Sequence, residues 1–312
     1  MKEDLSKGLW IAAPAKVNIT LEILGERPDG YHDLRSVVAP IALADRVELR
    51  PLTADGGVTL CVEADGVPMD AIGPAGRNLA VRAAELVRSR KGVAAGVAIR
   101  IVKRIPIGGG LGGGSADAAA VINGLDLLWG LGMGEEERMA LGAELGSDVP
   151  AQVAGRAVLM EGRGERVTPV GGDGGCVGGG IPIVLVNPGI AVSTAEVYRG
   201  CNGRLTSRAG ICHNALSSIH IRDSRALAQS LFNGLEAGVF AGHPEVGRLA
   251  ALLRSAGALG VLMSGSGASV FGLVEDEAHG KRILAGLPGD VWCRTTAILP
   301  DGVMAAHGPL EA

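Results

Sequence analysis

The sequence predicts an α+β protein made of two domains. Segments rich in apolar and β-compatible residues alternate with amphipathic or alanine-rich helical segments along most of the chain. A length of 312 residues, 47% of them hydrophobic, is more than one ordinary domain needs. A glycine-rich run at 171–180 is typical of a flexible connection. We therefore predict an N-terminal domain at residues 1–165 and a C-terminal domain at 166–312.

The first half contains both periodicities. Alternating or continuous apolar residues predict strands, and a shared apolar face or an alanine-rich stretch predicts helices. Arg27-Pro28-Asp29-Gly30 is a turn signal after the first strand. The predicted strands are 9–24, 45–49 and 97–105, and the predicted helices are 78–90, 115–130 and 135–146.

The second half follows the same logic. A six-residue apolar stretch at 181–186 ends in Asn187-Pro188-Gly189, which is typical of a buried strand followed by a turn. Helical patterns cover 224–240 and 244–256. Two short apolar segments, 260–263 and 268–274, flank the glycine turn Ser264-Gly265-Ser266-Gly267 and predict paired strands.

Composition excludes several classes of function. A net charge of −4 provides no basic field for a nucleic acid or an anionic membrane. Five widely spaced cysteines without a CxxC pair do not indicate a zinc or redox site. Residues 1–10 lead into no apolar segment of the signal-peptide type, and no later run of 18 apolar residues occurs. We therefore expect a cytoplasmic protein with reduced cysteines.

The strongest local signal is the glycine loop at 108–114, which lies between a predicted strand and a predicted helix. Glycines let the backbone approach a phosphate closely, and a helix start adds partial positive charge. Gly108, Gly110 and Gly113 match the dinucleotide pattern GxGxxG, but no strand ending in an acidic residue follows at the required distance. A P-loop needs lysine after its last glycine, and Ser115 and Ala116 stand there instead. The loop predicts a phosphate site of another kind.

Three segments resemble the motifs of the GHMP kinases, which include galactokinase, homoserine kinase and mevalonate kinase. Residues 106–119 resemble the second motif of that family, and 263–269 resemble the third. Residues 14–18 together with 27–32 resemble the amino-terminal signature of the branch that acts on 4-diphosphocytidyl-2-C-methylerythritol. The resemblance spans residues 12 to about 275. It implies a ribosomal protein S5 domain 2-like N-terminal domain followed by a GHMP C-terminal domain.

The resemblance also implies the site residues. Asp148 would be the catalytic base and Lys16 its electrostatic partner, for phosphoryl transfer to an alcohol. The ATP-binding residues would be Asn78, Pro106, Gly108, Gly109, Gly110, Leu111, Gly112, Gly113, Gly114 and Ser115. The substrate-binding residues would be Asn18, Tyr31, His32, Thr194, Tyr198, Ser264, Gly265, Ser266 and Gly267.

The cofactor expectations follow from the same chemistry. ATP implies Mg²⁺, which we expect to be held mainly by phosphates and water, with Ser115 as a nearby hydroxyl and no dedicated protein metal site. The chain has only two tyrosines, Tyr31 and Tyr198, and both fall where a cytosine site is implied. A turn tyrosine packed on the core, or an ordinary N-cap at Asn78, remains the plainer alternative at those positions.

The activity implied is ATP-dependent phosphorylation of the 2-hydroxyl of 4-diphosphocytidyl-2-C-methyl-D-erythritol. The expected partner is therefore a small molecule carrying cytidine diphosphate, with no nucleic acid or membrane partner and a monomer or weak dimer as the expected assembly. Another GHMP kinase, of the homoserine or mevalonate type, and an inactive nucleotide-binding homologue are the alternatives. Two departures from the family pattern stand out: Ala151-Gln152 where an aromatic residue is usual, and Ala116 in place of a second serine.

Overall fold

A computed structural model describes residues 8–53, 56–67, 75–170, 179–201 and 205–302. Its mixture of helices and strands confirms the predicted α+β class. The glycine-rich run falls largely at 171–178, outside the described residues. The domain boundary at 165/166 therefore stays a prediction.

Both strands and helices occur in each half of the chain. The strands are β1 Leu9–Asn18, β2 Thr20–Glu26, β3 His32–Leu52, β4 Val58–Ala64, β5 Gly96–Lys103, β6 Val158–Gly162, β7 Arg166–Pro169, β8 Ile181–Asn187, β9 Phe232–Asn233, β10 Gly260–Met263, β11 Val270–Leu273 and β12 Trp292–Ile298. The helices are α1 Leu79–Lys91, α2 Gly113–Trp129, α3 Glu135–Leu145, α4 Val149–Ala154, α5 Thr194–Arg199, α6 Ile211–His220, α7 Ser224–Gln229, α8 Glu236–Gly242, α9 Pro244–Ser255 and α10 Glu277–Ala285, with a 3₁₀ turn at Ala75–Arg77. Within the described part of the chain, no helix is long and apolar enough to cross a membrane.

Strand β3 connects the two halves of the molecule because its 21 residues pair with several strands in succession. Its beginning pairs antiparallel with β2 and β6, and its later part pairs with β1 and β5. Near the middle, Ile41 pairs with Ile298 of β12, and the sheet continues through β8 and β11 to β10. One sheet therefore runs from the N-terminal half into the C-terminal half.

Helices α1 to α4 cover one face of the N-terminal strands and bury an apolar core there. The small side chains of α2 let the helix pack closely on β1 and β3. Gly124 is required for this approach, because a Cβ at that position would lie 2.0 Å from Ile11 Cδ1. The close packing of α2 fixes the position of its first turn, which is where the glycine loop ends.

The C-terminal half builds a second apolar layer. Strand β8 is buried along nearly its whole length, as a continuous apolar run flanked by strands on both sides predicts. Helices α9 and α10 pack against β8, β10, β11 and β12. The order of elements leaves the two glycine loops, 108–114 and 264–267, side by side between the halves.

The predicted helix at 224–240 is wrong. Helix α7 ends at Gln229, strand β9 pairs in parallel with β2, and helix α8 begins only at Glu236. The interruption has a tertiary cause, since a Cβ at Gly234 would lie 1.8 Å from Thr206 Oγ1. Long-range pairing here overrides a continuous helical pattern.

The other predicted elements are found at similar positions, with one strand divided. The predicted strand at 9–24 is broken at Ile19 into β1 and β2, and the strand predicted at 45–49 is the end of the much longer β3. Elements that the patterns did not predict are β4, β6, β7, β9, β12, α4, α5, α6 and α10. Most of them are short or carry few apolar positions, so periodicity is weak there.

Candidate active site

A cavity of about 910 Å³ lies between the two glycine loops and receives residues from both halves of the chain. Its size is that of a small-molecule site. Its lining falls into three groups: glycines from both loops, the charged pair Lys16 and Asp148, and the aromatic side chains Tyr31, His32 and Tyr198, here named the aromatic end. Each of the ten residues proposed for ATP lines it, as do Lys16, Asp148, Asn18, Tyr31, His32, Thr194, Tyr198, Gly265 and Ser266.

The first glycine loop, residues 108–114, has a backbone that glycine alone adopts easily. Gly108, Gly110 and Gly112 have φ angles of +68°, +74° and +69°. Helix α2 starts directly afterwards, and its N-cap residue Gly112 provides no side-chain hydrogen bond. The first N–H groups of α2 therefore have no side-chain cap at a helix end that favours anions. This geometry suits a phosphate.

The second glycine turn, residues 264–267, is locked onto the first loop. Ser264 Oγ donates to Gly110 O at 3.0 Å, and the Ser269 N–H donates to Gly109 O at 3.0 Å. Ser264 is fully buried, whereas Gly265 and Ser266 line the cavity. A Cβ at Gly110 would lie 2.2 Å from Ser264 O, so the two backbones touch. The loops form one rigid wall of the cavity.

Lys16 and Asp148 lie at the centre of the cavity. Lys16 Nζ is 3.4 Å from Asp148 Oδ2 and donates to Asn18 Oδ1 at 2.6 Å. The Lys16 backbone N–H donates to Leu111 O at 2.9 Å, which ties strand β1 to the first glycine loop. Asp148 precedes helix α4 but makes no capping bond with its side chain, which is 39% exposed. Its carboxylate is therefore available to a ligand, beside a buried ammonium group.

The aromatic end of the cavity contains Tyr31, His32 and Tyr198. The rings of His32 and Tyr198 lie 5.8 Å apart at 42°, and Tyr31 is 56% exposed beneath the guanidinium of Arg163 at 5.0 Å. Burial, and secondarily the Asp148 charge, raises the pKa of Tyr198, so its hydroxyl stays a donor at neutral pH. An aromatic pair with a polar rim can take a nucleobase.

Four other predicted site residues, Thr194, Ser266, Asn18 and Asn78, are held by side-chain hydrogen bonds. Thr194 Oγ1 and Ser266 Oγ share a hydrogen bond of 2.8 Å. Asn18 donates from Nδ2 to Ser36 Oγ at 2.8 Å, which turns its Oδ1 towards Lys16. Asn78 caps helix α1 by accepting the Ala80 N–H at 2.9 Å, and it also lines the cavity.

The departures from the family pattern lie outside the main cavity. Ala151 and Gln152 are buried in α4, and Gln152 Nε2 has no hydrogen-bond partner among the described residues. Gln152 lines a separate small cavity beside α2. Ala116 is buried in the first turn of α2, where it packs into the N-terminal core.

A buried charge cluster of Asp45, Lys103 and Asp117 lies under the first glycine loop, and the sequence patterns did not predict it. Lys103 Nζ contacts both carboxylates, at 2.8 Å for Asp117, while Asp45 accepts the N–H groups of Arg104 and Ile105 at 2.5 and 2.9 Å. Burial lowers the pKa of Lys103, but the two carboxylates outweigh it and the pKa is raised. Lys103 among the alternating apolar residues of β5 was the available signal.

Asp117 should make stability depend on pH. Burial raises the pKa of its carboxyl from 3.8 to about 7; the Lys103 ammonium opposes this shift and the Asp45 carboxylate adds to it. Between those values the folded state holds a proton that the unfolded chain has released. The free energy of unfolding contributed by this group therefore falls as pH rises from about 4 to about 7. We expect Asp117→Asn to remove that slope.

Urea unfolding between about pH 4 and about pH 8 measures this slope in the parent and the variant. The Asp126→Asn variant is the control. Asp126 lies near the C-terminal end of the same helix, where its side chain accepts the Met133 N–H at 2.8 Å. This variant should keep the slope of the parent. An equal slope in the parent and in Asp117→Asn would contradict the statement that Asp117 causes this pH dependence of stability.

Two family models and several named relatives match the sequence of this chain. The model described as GHMP kinases N terminal domain matches residues 78–156, and the model described as GHMP kinases C terminal matches residues 215–291. A protein of Geobacillus thermodenitrificans named 4-diphosphocytidyl-2-C-methyl-D-erythritol kinase is 41% identical over 281 residues, covering 90% of this chain and 93% of the relative. One of the same name from Pelotomaculum thermopropionicum is 42% identical, covering 88% and 91%.

Solved structures of kinases are also similar to this chain. A crystal structure of 4-(cytidine 5'-diphospho)-2C-methyl-D-erythritol kinase matches with a TM-score of 0.73 and 35% identity, over 92% of this chain and 99% of that one. A homoserine kinase from Cytophaga hutchinsonii also has a TM-score of 0.73, but at 18% identity over 97% and 98% it shows the fold alone. The two-domain GHMP kinase fold that the motifs implied is confirmed. The chain belongs to the GHMP kinases and, within them, to the 4-diphosphocytidyl-2-C-methyl-D-erythritol kinase family.

Proposed function

We propose that this protein transfers the γ-phosphoryl group of ATP to the 2-hydroxyl of 4-diphosphocytidyl-2-C-methyl-D-erythritol, giving the 2-phosphate and ADP in the non-mevalonate route to isoprenoid precursors. The observation that carries the mechanism is the pair Lys16–Asp148, 3.4 Å apart, between a glycine-rich end and an aromatic end of one cavity. A phosphoryl donor and a nucleoside-linked acceptor would meet at that pair.

Asp148 is the proposed base. Its carboxylate accepts the proton of the acceptor hydroxyl as the oxygen attacks the γ-phosphorus, the bond to the β-phosphate oxygen breaks and ADP leaves. Lys16 stabilises the negative charge on the phosphoryl oxygens through its ammonium group. Asn18 accepts a hydrogen bond from Lys16 Nζ at 2.6 Å and so fixes the direction of that group.

The glycine loop 108–114, Asn78, Pro106 and Ser115 are the proposed ATP site. Backbone N–H groups of the loop and of the first turn of α2 would surround the phosphates. Gly265 and Ser266 lie beside the first loop in the same wall, since a Cβ at Gly265 would lie 3.2 Å from both Gly110 O and Lys16 Nζ. This position suits the diphosphate of the acceptor.

Magnesium is compatible with this donor set. No cluster of three or more His, Cys, Asp or Glu side chains that could hold a metal occurs within the residues the structure describes. Mg²⁺ commonly keeps waters and phosphate oxygens as ligands and needs few from the protein. The Ser115 hydroxyl, in the first turn of α2, is the side chain we propose beside it, and the ion would neutralise phosphate charge.

Tyr31 and Tyr198 are the proposed faces of a cytosine site, with His32 between them in the wall. We expect Tyr31→Ala to raise KM for the cytidyl substrate by about 5- to 100-fold, because stacking on one aromatic ring stabilises a base by roughly 1–3 kcal/mol. KM for ATP should stay within about twofold, since Tyr31 is not among the residues proposed to bind ATP. Steady-state kinetics with each substrate varied measures both.

Ile221→Ala is the matched control, because Ile221 is likewise an exposed large side chain but does not line the cavity. It should leave both KM values unchanged. A Tyr31→Ala variant with an unchanged KM for the cytidyl substrate would remove Tyr31 from the site.

A coupled ADP-release assay tests the function itself. ATP, Mg²⁺ and the cytidyl substrate should give ADP, while homoserine and mevalonate should not. Turnover with homoserine or mevalonate alone would replace the substrate and keep the kinase. ADP formation with none of the three would favour an inactive nucleotide-binding homologue. A cytoplasmic location and a monomeric or weakly dimeric state stay predictions.

A further inference from the structure

The segment 233–236, which links β9 to α8, holds the second glycine turn from behind. Asn233 Nδ2 donates to Met263 O and to Gly265 O, both at 2.8 Å, and its Oδ1 accepts the Leu235 N–H at 2.9 Å. Asn233 is buried, and these three bonds use both N–H groups and the carbonyl oxygen of its side-chain amide. Only a primary amide of this length supplies two donors and one acceptor there.

Glu236 also binds Met263, the last residue of β10. Its Oε1 accepts the Met263 N–H at 2.8 Å, so Met263 is held through both its N–H and its carbonyl. Burial raises the pKa of Glu236, while the Met263 N–H and the charge of Arg254 oppose that shift. The 233–236 segment thus fixes the backbone on which the turn begins.

The carbonyl of Gly265 controls the direction of the next N–H group. The Gly265–Ser266 peptide is trans. In a planar trans peptide the C=O and the following N–H point in opposite directions. Because Asn233 holds the Gly265 carbonyl on the inner side of the turn, the Ser266 N–H points to the opposite side. Gly265 and Ser266 also line the cavity.

Residues 232 and 234 are bonded to the chain just after β1, the strand that carries Lys16. Phe232 N–H donates to Ile19 O at 3.2 Å, and Gly234 N–H donates to Leu21 O at 2.9 Å. Ile19 directly follows Asn18, and Leu21 is the second residue of β2. The Asn18 N–H donates to Ser264 Oγ at 3.4 Å. The segment therefore fixes the distance between the Lys16–Asn18 end of β1 and the 264–267 turn.

We propose that Asn233, supported by Glu236, is a positioning residue for phosphoryl transfer: it aims the Ser266 N–H of the second glycine turn at an anionic group of the bound substrate, without touching that substrate. The inference deepens the proposed function and rests on it for the identity of the anion. Misplacement of such a donor by about an ångström costs about a hundredfold in rate.

The Asn233→Asp variant tests this, since it keeps the size and the acceptor but replaces the two-proton donor with an oxygen facing two carbonyl oxygens. We expect kcat to fall by about 10- to 100-fold, with KM for ATP within about threefold. Rates are measured at a temperature at which circular dichroism shows the parent and the variant fully folded. A merely structural role would lower the melting temperature but leave kcat of the folded enzyme unchanged, which would overturn the proposal.

Asn123→Asp is the matched control. Asn123 also donates from Nδ2 to a backbone carbonyl, that of Val153 at 3.3 Å, and accepts from Arg138, but it lies away from the main cavity. This variant should lose stability and keep kcat. A fall in kcat equal to that of Asn233→Asp would also overturn the proposal, because any lost buried amide bond would then suffice.

Hydrogen exchange separates this inference from the proposed function. Without any substrate, the peptide covering 260–270 should exchange faster in Asn233→Asp than in the parent. Unchanged exchange would show that the Asn233 hydrogen bonds do not hold the second glycine turn in place. If the parent phosphorylates homoserine or mevalonate instead, the substrate assignment fails. The role of Asn233 is then still decided by kcat of Asn233→Asp and Asn123→Asp with that alcohol.

Discussion

Asp148→Asn is expected to lower kcat by about 10²- to 10⁴-fold, which is the range that a general base contributes. An amide accepts no proton at neutral pH and removes the negative charge opposite the buried ammonium of Lys16. Because the Asp148 side chain makes no capping bond to α4, the substitution leaves the helix start intact. ATP affinity should change by less than about threefold, since the loop that surrounds the phosphates is untouched.

Single-turnover kinetics and ATP titration measure the two effects separately. Asp65→Asn is the control, because Asp65 is likewise a partly exposed carboxylate paired with a cation, Arg104 at 2.7 Å, and does not line the cavity. That variant should keep the parent rate. Turnover of Asp148→Asn near the parent value would remove Asp148 as the base, and a large loss of ATP affinity would give it a binding role instead.

Gly110→Ala should lower kcat/KM by about a hundredfold or more, through displacement of both glycine loops. A Cβ on Gly110 would lie 2.2 Å from Ser264 O and 2.8 Å from Gly267 O, and both contacts are backbone, so no side chain can rotate away. The φ of +74° adds strain of about 1 kcal/mol for an L-residue. The loops must separate, and the phosphate site is then lost.

Gly130→Ala separates these two causes. Gly130 ends helix α2 with a φ of +61°, and a Cβ there meets nothing within 4 Å. It shares the backbone strain without the collision. We expect it to lose about 1 kcal/mol of unfolding free energy and to keep its kinetics. Equal kinetic losses in the two variants would show that strain alone, and not contact between the loops, governs the site.

The element predictions succeeded where local chemistry decides the structure. Helix α1, predicted at 78–90, is found at Leu79–Lys91 and starts at the Asn78 cap that the sequence offered. The helix predicted at 224–240 failed because β9 pairs with β2, more than 200 residues earlier in the chain. Periodicity contains no information about such a partner.

The glycine loop at 108–114 could be predicted from the sequence. Glycines at 108–114 between a strand and an alanine-rich helix allow a backbone that other residues avoid, and that preference is local. The tyrosines and the pairing of Lys16 with Asp148 came from the family resemblance. Residues 16 and 148 are 132 positions apart, and neither neighbourhood specifies the other.

The tertiary structure alone decided which polar groups meet. Asp45, Lys103 and Asp117 come from three elements, and Asn233 donates to Gly265 in a turn 32 positions later. Buried polar groups must find hydrogen-bond partners, but the sequence does not say which ones, because the packing of strands and helices selects the partners in space. The same packing joins two separate glycine turns into one wall, and so makes one cavity from two halves of the chain.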